Sequence, residues 1–90
     1  MAYDWSIETY VTTIEGSYMP SELPFMVSNA GGSCAVGQWL RWEIRGSDTA
    51  SRNINIQSVM AGLMAARAAN RKVRLFGRNN GCVIEHIHLL

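Results

Sequence analysis

The stretch NINIQSVMAGLMAARAANRKVRLFGRNNGCVIEHIHL, residues 53–89, decides the fold class, because its hydrophobic period changes within one run of chain. Ile56, Val59, Met60 and Leu63 recur at helical spacing and form one apolar stripe, with Arg67 at its far end, so a helix is expected over about residues 53–70. From Lys72 a period of two takes over. Val73 and Leu75 fall on one side of a strand, and Lys72, Arg74 and Phe76 on the other. Asn79-Asn80-Gly81 supplies the positive-φ residues of a tight hairpin, and residues 83–89 return as a strand.

Upstream the pattern is strand-like throughout. Residues 9–20 alternate β-branched and polar side chains, as a half-buried strand should. Met19-Pro20 to Pro24 forces a turn or an edge, PFMVS (24–28) is a short second strand, and residues 29–33 form a flexible turn ending at Cys34. QWLRWEIRG (38–46) reads as a third strand. Leu40, Trp42 and Ile44 belong on its core face, and Trp39, Arg41, Glu43 and Arg45 on the other. Residues 46–50 are a loop.

The order is therefore β-β-β-α-β-β in a single domain, residues 1–90. That is the order of the OB-fold, a five-stranded Greek-key barrel; the alternative is an open α+β sandwich with the helix over a five-stranded sheet.

Composition narrows the function. At 90 residues and 17% charged side chains, the chain is small and lean in charge, a state that favours burying surface in an oligomer. Net charge is only +1, yet residues 1–51 carry two basic and six acidic side chains and residues 52–90 carry six basic and one acidic. Such a split suits either an anionic partner or head-to-tail docking of subunits. No apolar run reaches membrane-spanning length, so no membrane insertion is expected. Met1-Ala2-Tyr3 reads as a natural start or as an expression start where a leader was removed. Cys34 and Cys82, each beside glycine-rich turn sequence, suit one disulfide in an oxidising compartment, hence a secreted or periplasmic protein; two unpaired buried thiols are the alternative.

The helix has a second, unusual face made of Ser58, Ala61, Gly62, Ala65, Ala68 and Ala69. A solvated face should be richer in Lys and Glu, so Ala61, Gly62, Ala65 and Ala68 are candidates for a subunit contact; an exposed alanine-rich face of good propensity is the alternative.

The size, the strand order, the helix SVMAGLMAARAANRK running straight into VRLFG, and the Cys34/Cys82 pair outside the helix together resemble a known family. It is that of the receptor-binding B subunits of bacterial A-B toxins, of the subtilase-cytotoxin and pertussis-like type. The resemblance covers about residues 7–89 and is architectural. It implies an OB-fold, a homopentameric ring with helices around a central pore, binding of cell-surface glycans, and a catalytic A subunit as a possible partner. The family's glycan pocket begins with a hydroxyl residue near the start of the first strand. Ser6, flanked by Trp5 and Tyr10, is the nearest match here.

Trp39 is a further glycan-binding candidate, because an outward tryptophan is an interface anchor or a platform for a sugar ring; burial under the N-terminal segment is the alternative. His86 and His88 share one strand face, but zinc needs three or four ligands and Glu85 points the other way, so no metal or other cofactor is expected. Cys82 lies about 13 Å along the strand from His86, too far for a nucleophilic pair. With no DxD, GxSxG, HExxH or phosphate-binding glycine loop, an enzyme is not expected. The remaining alternatives are a structural ring subunit that docks another protein, and a single-stranded nucleic-acid binder. The latter would use Arg67, Arg71, Lys72, Arg74 and Arg78 with Phe76.

Overall fold

A computed structural model of the chain describes residues 3–90; Met1 and Ala2, on which the reading of the chain start rests, lie outside them. Among the described residues the fold is mainly β with one long helix, and six strands form two antiparallel three-stranded sheets. The strands are β1 (Trp5–Thr9), β2 (Val11–Ile14), β3 (Glu22–Val27), β4 (Leu40–Glu43), β5 (Val73–Gly77) and β6 (Ile84–Leu89), with the helix α1 (Thr49–Ala68) between β4 and β5. One sheet runs β1-β5-β6 and the other β2-β3-β4.

Two expectations change here. The first strand starts at Trp5 and is broken at Tyr10, so that its two halves belong to different sheets. The cause lies in the corner between them. The Thr9 hydroxyl is fully buried and bonds to the Ser28 and Asn29 side chains, while the Ser28 main-chain N–H donates to Tyr10 O. A buried hydroxyl must be hydrogen-bonded, and these partners fix the bend. The sheets also do not close into a continuous barrel, nor do they form one five-stranded sheet under a helix. A single parallel bridge, Arg41 to Val83, joins β4 to the start of β6.

Side chains seal that seam. Arg41 donates from Nε to Gly81 O, and Arg45 donates to the carbonyls of Glu85 and Ile84 while its guanidinium lies 4.0 Å from the centre of the Trp42 ring. The last contact corrects the third-strand reading. β4 ends at Glu43, so Arg45 folds over Trp42 instead of standing beside Trp39, and Ile44 is half-buried rather than in the core.

The helix starts earlier than its apolar stripe. Asp48 caps it by accepting from the Ser51 N–H, and that hydrogen bond holds its carboxyl below the usual carboxylate range. At the other end Asn70 takes a left-handed conformation and the Arg71 N–H bonds back to Ala66 O. Ile56 and Leu63 are fully buried, Val59 and Met60 partly so, and Ala66 joins the buried face. They pack with Leu23, Phe25, Val27, Leu40, Trp42, Val73, Leu75 and Ile84 as one core.

Cys34 and Cys82 are joined by a disulfide, with Cα atoms 5.9 Å apart. β5 and β6 form the expected antiparallel hairpin, but its turn over residues 79–83 is not the tight one expected. A 3-10 turn spans Asn80–Cys82, and the positive φ angles fall on Gly81 (72°) and Cys82 (52°) rather than on the asparagines. The turn before Cys34 is tied down: Gly31 and Cys34 exchange main-chain hydrogen bonds, and the Ser33 N–H donates to the Asn79 side chain. No helix of the described residues is long and apolar enough to cross a membrane.

Candidate functional site

Antiparallel register decides what the outer face of β1-β5-β6 presents. Across β1 and β5, Ser6 faces Phe76 and Glu8 faces Arg74; across β5 and β6, Phe76 faces His86 and Arg74 faces His88. Partners on adjacent antiparallel strands lie on the same face, so two rows cross the sheet side by side. Ser6, Phe76 and His86 make one; Glu8, Arg74 and His88 make the other.

Phe76 is the centre of this surface. Its ring meets Tyr3 edge-on at 5.0 Å between centroids, His88 at 4.8 Å and His86 at 5.9 Å. Edge-to-face contacts of this kind hold rings in place beyond what area burial gives. Beside it, Arg74 donates from both Nε and Nη2 to one oxygen of Glu8. That hydrogen bond, and then the charge of the same guanidinium, hold the Glu8 carboxyl below the usual carboxylate range. The pair is exposed, so it contributes orientation more than stability. The arrangement offers a ligand an apolar ring, a hydroxyl, a fixed carboxylate and a fixed guanidinium within two rows. It provides contacts for binding.

The four glycan-binding candidates do not converge. Ser6 is exposed on the surface just described. Tyr10 stands at the strand break, with the Lys72 ammonium 5.6 Å from its ring centre. Trp5 is in the core, because β1 turns Trp5, Ile7 and Thr9 inward opposite Gly77, Leu75 and Val73. Its indole occupies space that side chains at Gly31, Gly32 and Gly77 would need, and its Nε1 has no hydrogen-bond partner among the described residues. Trp39 is 41% exposed and stands just before β4, away from the β1-β5-β6 face. It lines a recess with Glu15, Tyr18, Glu22, Pro24 and Arg41.

The sequence reading missed Tyr3 and Glu8 altogether, and it placed Phe76 and the two histidines in other roles. The signal was present as alternation: Ser6 and Glu8 flank Ile7, and His86 and His88 flank Ile87. Among the described residues, no group of three or more His, Cys, Asp or Glu is placed to hold a metal ion.

The helix face of small residues is open. Ala61, Ala65 and Ala68 are exposed, while Gly62 is half-covered by the Leu89 side chain, which would lie 3.1 Å from a Cβ there. Ala65, Ala69, Leu89 and Leu90 line a shallow recess on this side. A larger one, about 580 Å³, lies between the helix and β2, with Ile14, Met60 and Met64 in its walls and Arg67 bonded across it to Thr12 O. Among the described residues, Arg67 is the one charged group in that lining.

Comparison with protein-family models, with curated proteins and with solved structures gives no match.

Proposed function

We propose that the protein is a non-catalytic, receptor-binding subunit that holds a glycan on the outer face of β1-β5-β6. The observation that carries this reading is the pairing of exposed Ser6 with Phe76. A sugar ring has one apolar C–H face and an edge of hydroxyls. Phe76, steadied by Tyr3 and the histidines, suits the first, and Ser6 with the Glu8–Arg74 pair suits the second. Tyr10 and Lys72 extend the same surface at its edge.

The connectivity supports a relative of the OB topology, left open as two sheets, whose first strand is bent at Tyr10. Joined end to end, β1 and β2 run from one sheet into the other, and the parallel bridge from Arg41 to Val83 connects the remaining edges. We further read the protein as a secreted or periplasmic homo-oligomer, a pentameric ring. The disulfide supports the compartment. The small-residue helix face, together with exposed Ile54, Met64, Leu89 and Leu90, supports the assembly. A catalytic partner subunit would dock on such a ring.

The nucleic-acid reading draws less from the geometry. Arg74 is engaged by Glu8, Arg78 by Glu85, and Lys72 lies over Tyr10, so much of the basic run is already neutralised or covered. Retention on a panel of immobilised glycans at two salt concentrations tests the choice. Sugar stacking survives the change, whereas phosphate contacts weaken steeply with salt. Retention of single-stranded nucleic acid in place of every glycan would overturn the reading.

A further inference from the structure

Met60, Met64 and Ala68 follow one another at helical-turn spacing on the flank of α1 that faces β2, so they form a single row about 12 Å long. With Ile14 across from it, this row walls the recess of about 580 Å³ between helix and strand. That volume lies inside the range of roughly 300–1,000 Å³ that small-molecule pockets span. Met64 is 52% exposed and Met60 half-buried, and unbranched thioethers of this kind adapt to the shape of an apolar ligand.

The two ends of the row differ. At one, the Met60 methyl lies over Gly16, where a Cβ would come within 2.9 Å of it. At the other stands exposed Arg67, the one charged side chain of the walls among the described residues. Its Nε donates to Thr12 O at 3.1 Å, and among the described residues no carboxylate pairs with it. The guanidinium is thus fixed in place beside an apolar row, with its Nη groups still able to donate.

This polarity sorts the possible occupants. A cation would meet the guanidinium. An extended peptide adding to the open edge of β2 would need the Thr12 carbonyl, which Arg67 already covers. A wholly apolar molecule would gain nothing from the charge. A carboxylate on an unbranched aliphatic tail uses both ends. Its head accepts charge-assisted hydrogen bonds from Arg67, and a tail of about eight to ten carbons covers a row of about 12 Å.

We propose that the groove between α1 and β2 binds a medium-chain fatty acid, with its carboxylate on Arg67 and its tail along Met64 and Met60. The site shares no residue with the Ser6–Phe76 surface and does not depend on the glycan reading.

The test is a titration of protein carrying 13C-labelled methionine methyls with sodium decanoate, kept below its micelle concentration. Decyltrimethylammonium, a tail of equal length with the opposite charge, is titrated in parallel. Decanoate should shift the Met60 and Met64 signals saturably, with a Kd on the order of 0.1–1 mM. Arg67→Gln should weaken this at least about fivefold, and Arg67→Lys by less, because the charge is kept. Met64→Ser, read from Met60, should weaken it at least about threefold. Met64 is exposed, so that variant decides the matter even if Arg67→Gln fails to fold. Ser6→Ala and Phe76→Ala should leave the titration unchanged. No saturable shift with decanoate, or an equal shift with decyltrimethylammonium, overturns the proposal. Wild-type affinity in folded Arg67→Gln or in Met64→Ser overturns it too. So does cosedimentation with phosphatidylglycerol vesicles by a protein that ignores decanoate, which would make the groove a membrane contact.

Discussion

Arg45 lies over the Trp42 ring, with its guanidinium carbon 4.0 Å from the ring centre, and from there it reaches the carbonyls at the start of β6. The same indole donates from Nε1 to the Asn55 side chain in the helix. Trp42, through Arg45 and Asn55, thus ties β4, α1 and β6 together beside the Arg41–Val83 bridge that joins the two sheets.

Replacing it should be costly. Trp42→Ala should destabilise the domain by roughly 3–5 kcal/mol, the range for emptying a large aromatic core site. Trp39→Ala, on the exposed side of the same segment, should stay within about 0.5 kcal/mol of wild type. Denaturant melts of the two variants side by side decide this. Equal losses would mean that the face assignment of β4 is wrong.

The disulfide closes a loop between residues 48 apart in sequence. Both cysteines are buried, and the bond links the tied turn before β4 to the turn before β6. In the chain-entropy view such a link contributes on the order of 4 kcal/mol. Reduction under mild denaturant, or the Cys34→Ser/Cys82→Ser double variant, should lower the unfolding midpoint sharply. An unchanged midpoint would contradict this role.

Gly77 sits opposite Trp5 in the β1–β5 register, and a side chain there would enter the space of the indole. Gly77→Ala should therefore cost about 1–3 kcal/mol through overpacking. The cost should shrink when Trp5 is also replaced by Leu, because the smaller side chain leaves room for the added methyl. Thermal melts of the two single variants and the double variant measure the coupling.

Ala65 is exposed on the helix and lines the recess with Leu89 and Leu90. In a ring built through this face, Ala65→Glu should release monomers while leaving the melting of the isolated subunit nearly unchanged. Sedimentation of wild type and variant at micromolar concentration reads both. A wild-type protein that sediments as the 10.0 kDa chain would remove the ring.

The parts legible in the sequence were those set by local period. The stripe of Ile56 and Leu63 and the alternation of Val73 and Leu75 give α1 and β5 directly, and both end in the core. The helix start was hidden because Asp48 and Ser51, which cap it, precede the first apolar residue of the stripe. The break at Tyr10 has no glycine or proline to mark it. It depends on Thr9 finding Ser28 and Asn29, nearly twenty residues away. Trp5 looked like a surface aromatic because the glycines that cradle it, Gly31, Gly32 and Gly77, are distant in the chain. For the same reason the candidate site was only half visible. Ser6 could be singled out as a hydroxyl near the chain start, but its meeting with Phe76 depends on strand register, which local pattern does not fix.

The most direct test of the account compares glycan retention by wild type, Ser6→Ala and Phe76→Ala on one immobilised panel, with melting curves taken on the same samples. Both residues lie on the outer face of the sheet, so neither substitution should disturb folding by more than about 1 kcal/mol. The account predicts that the wild type retains at least one glycan. Each variant should lose that retention by about tenfold or more, equivalent to roughly 1.4 kcal/mol of binding, with melting temperatures within about 8 °C of wild type. A wild type that retains no glycan, or variants that retain it as well as wild type, would contradict the claim that the Ser6–Phe76 surface is a sugar-binding site.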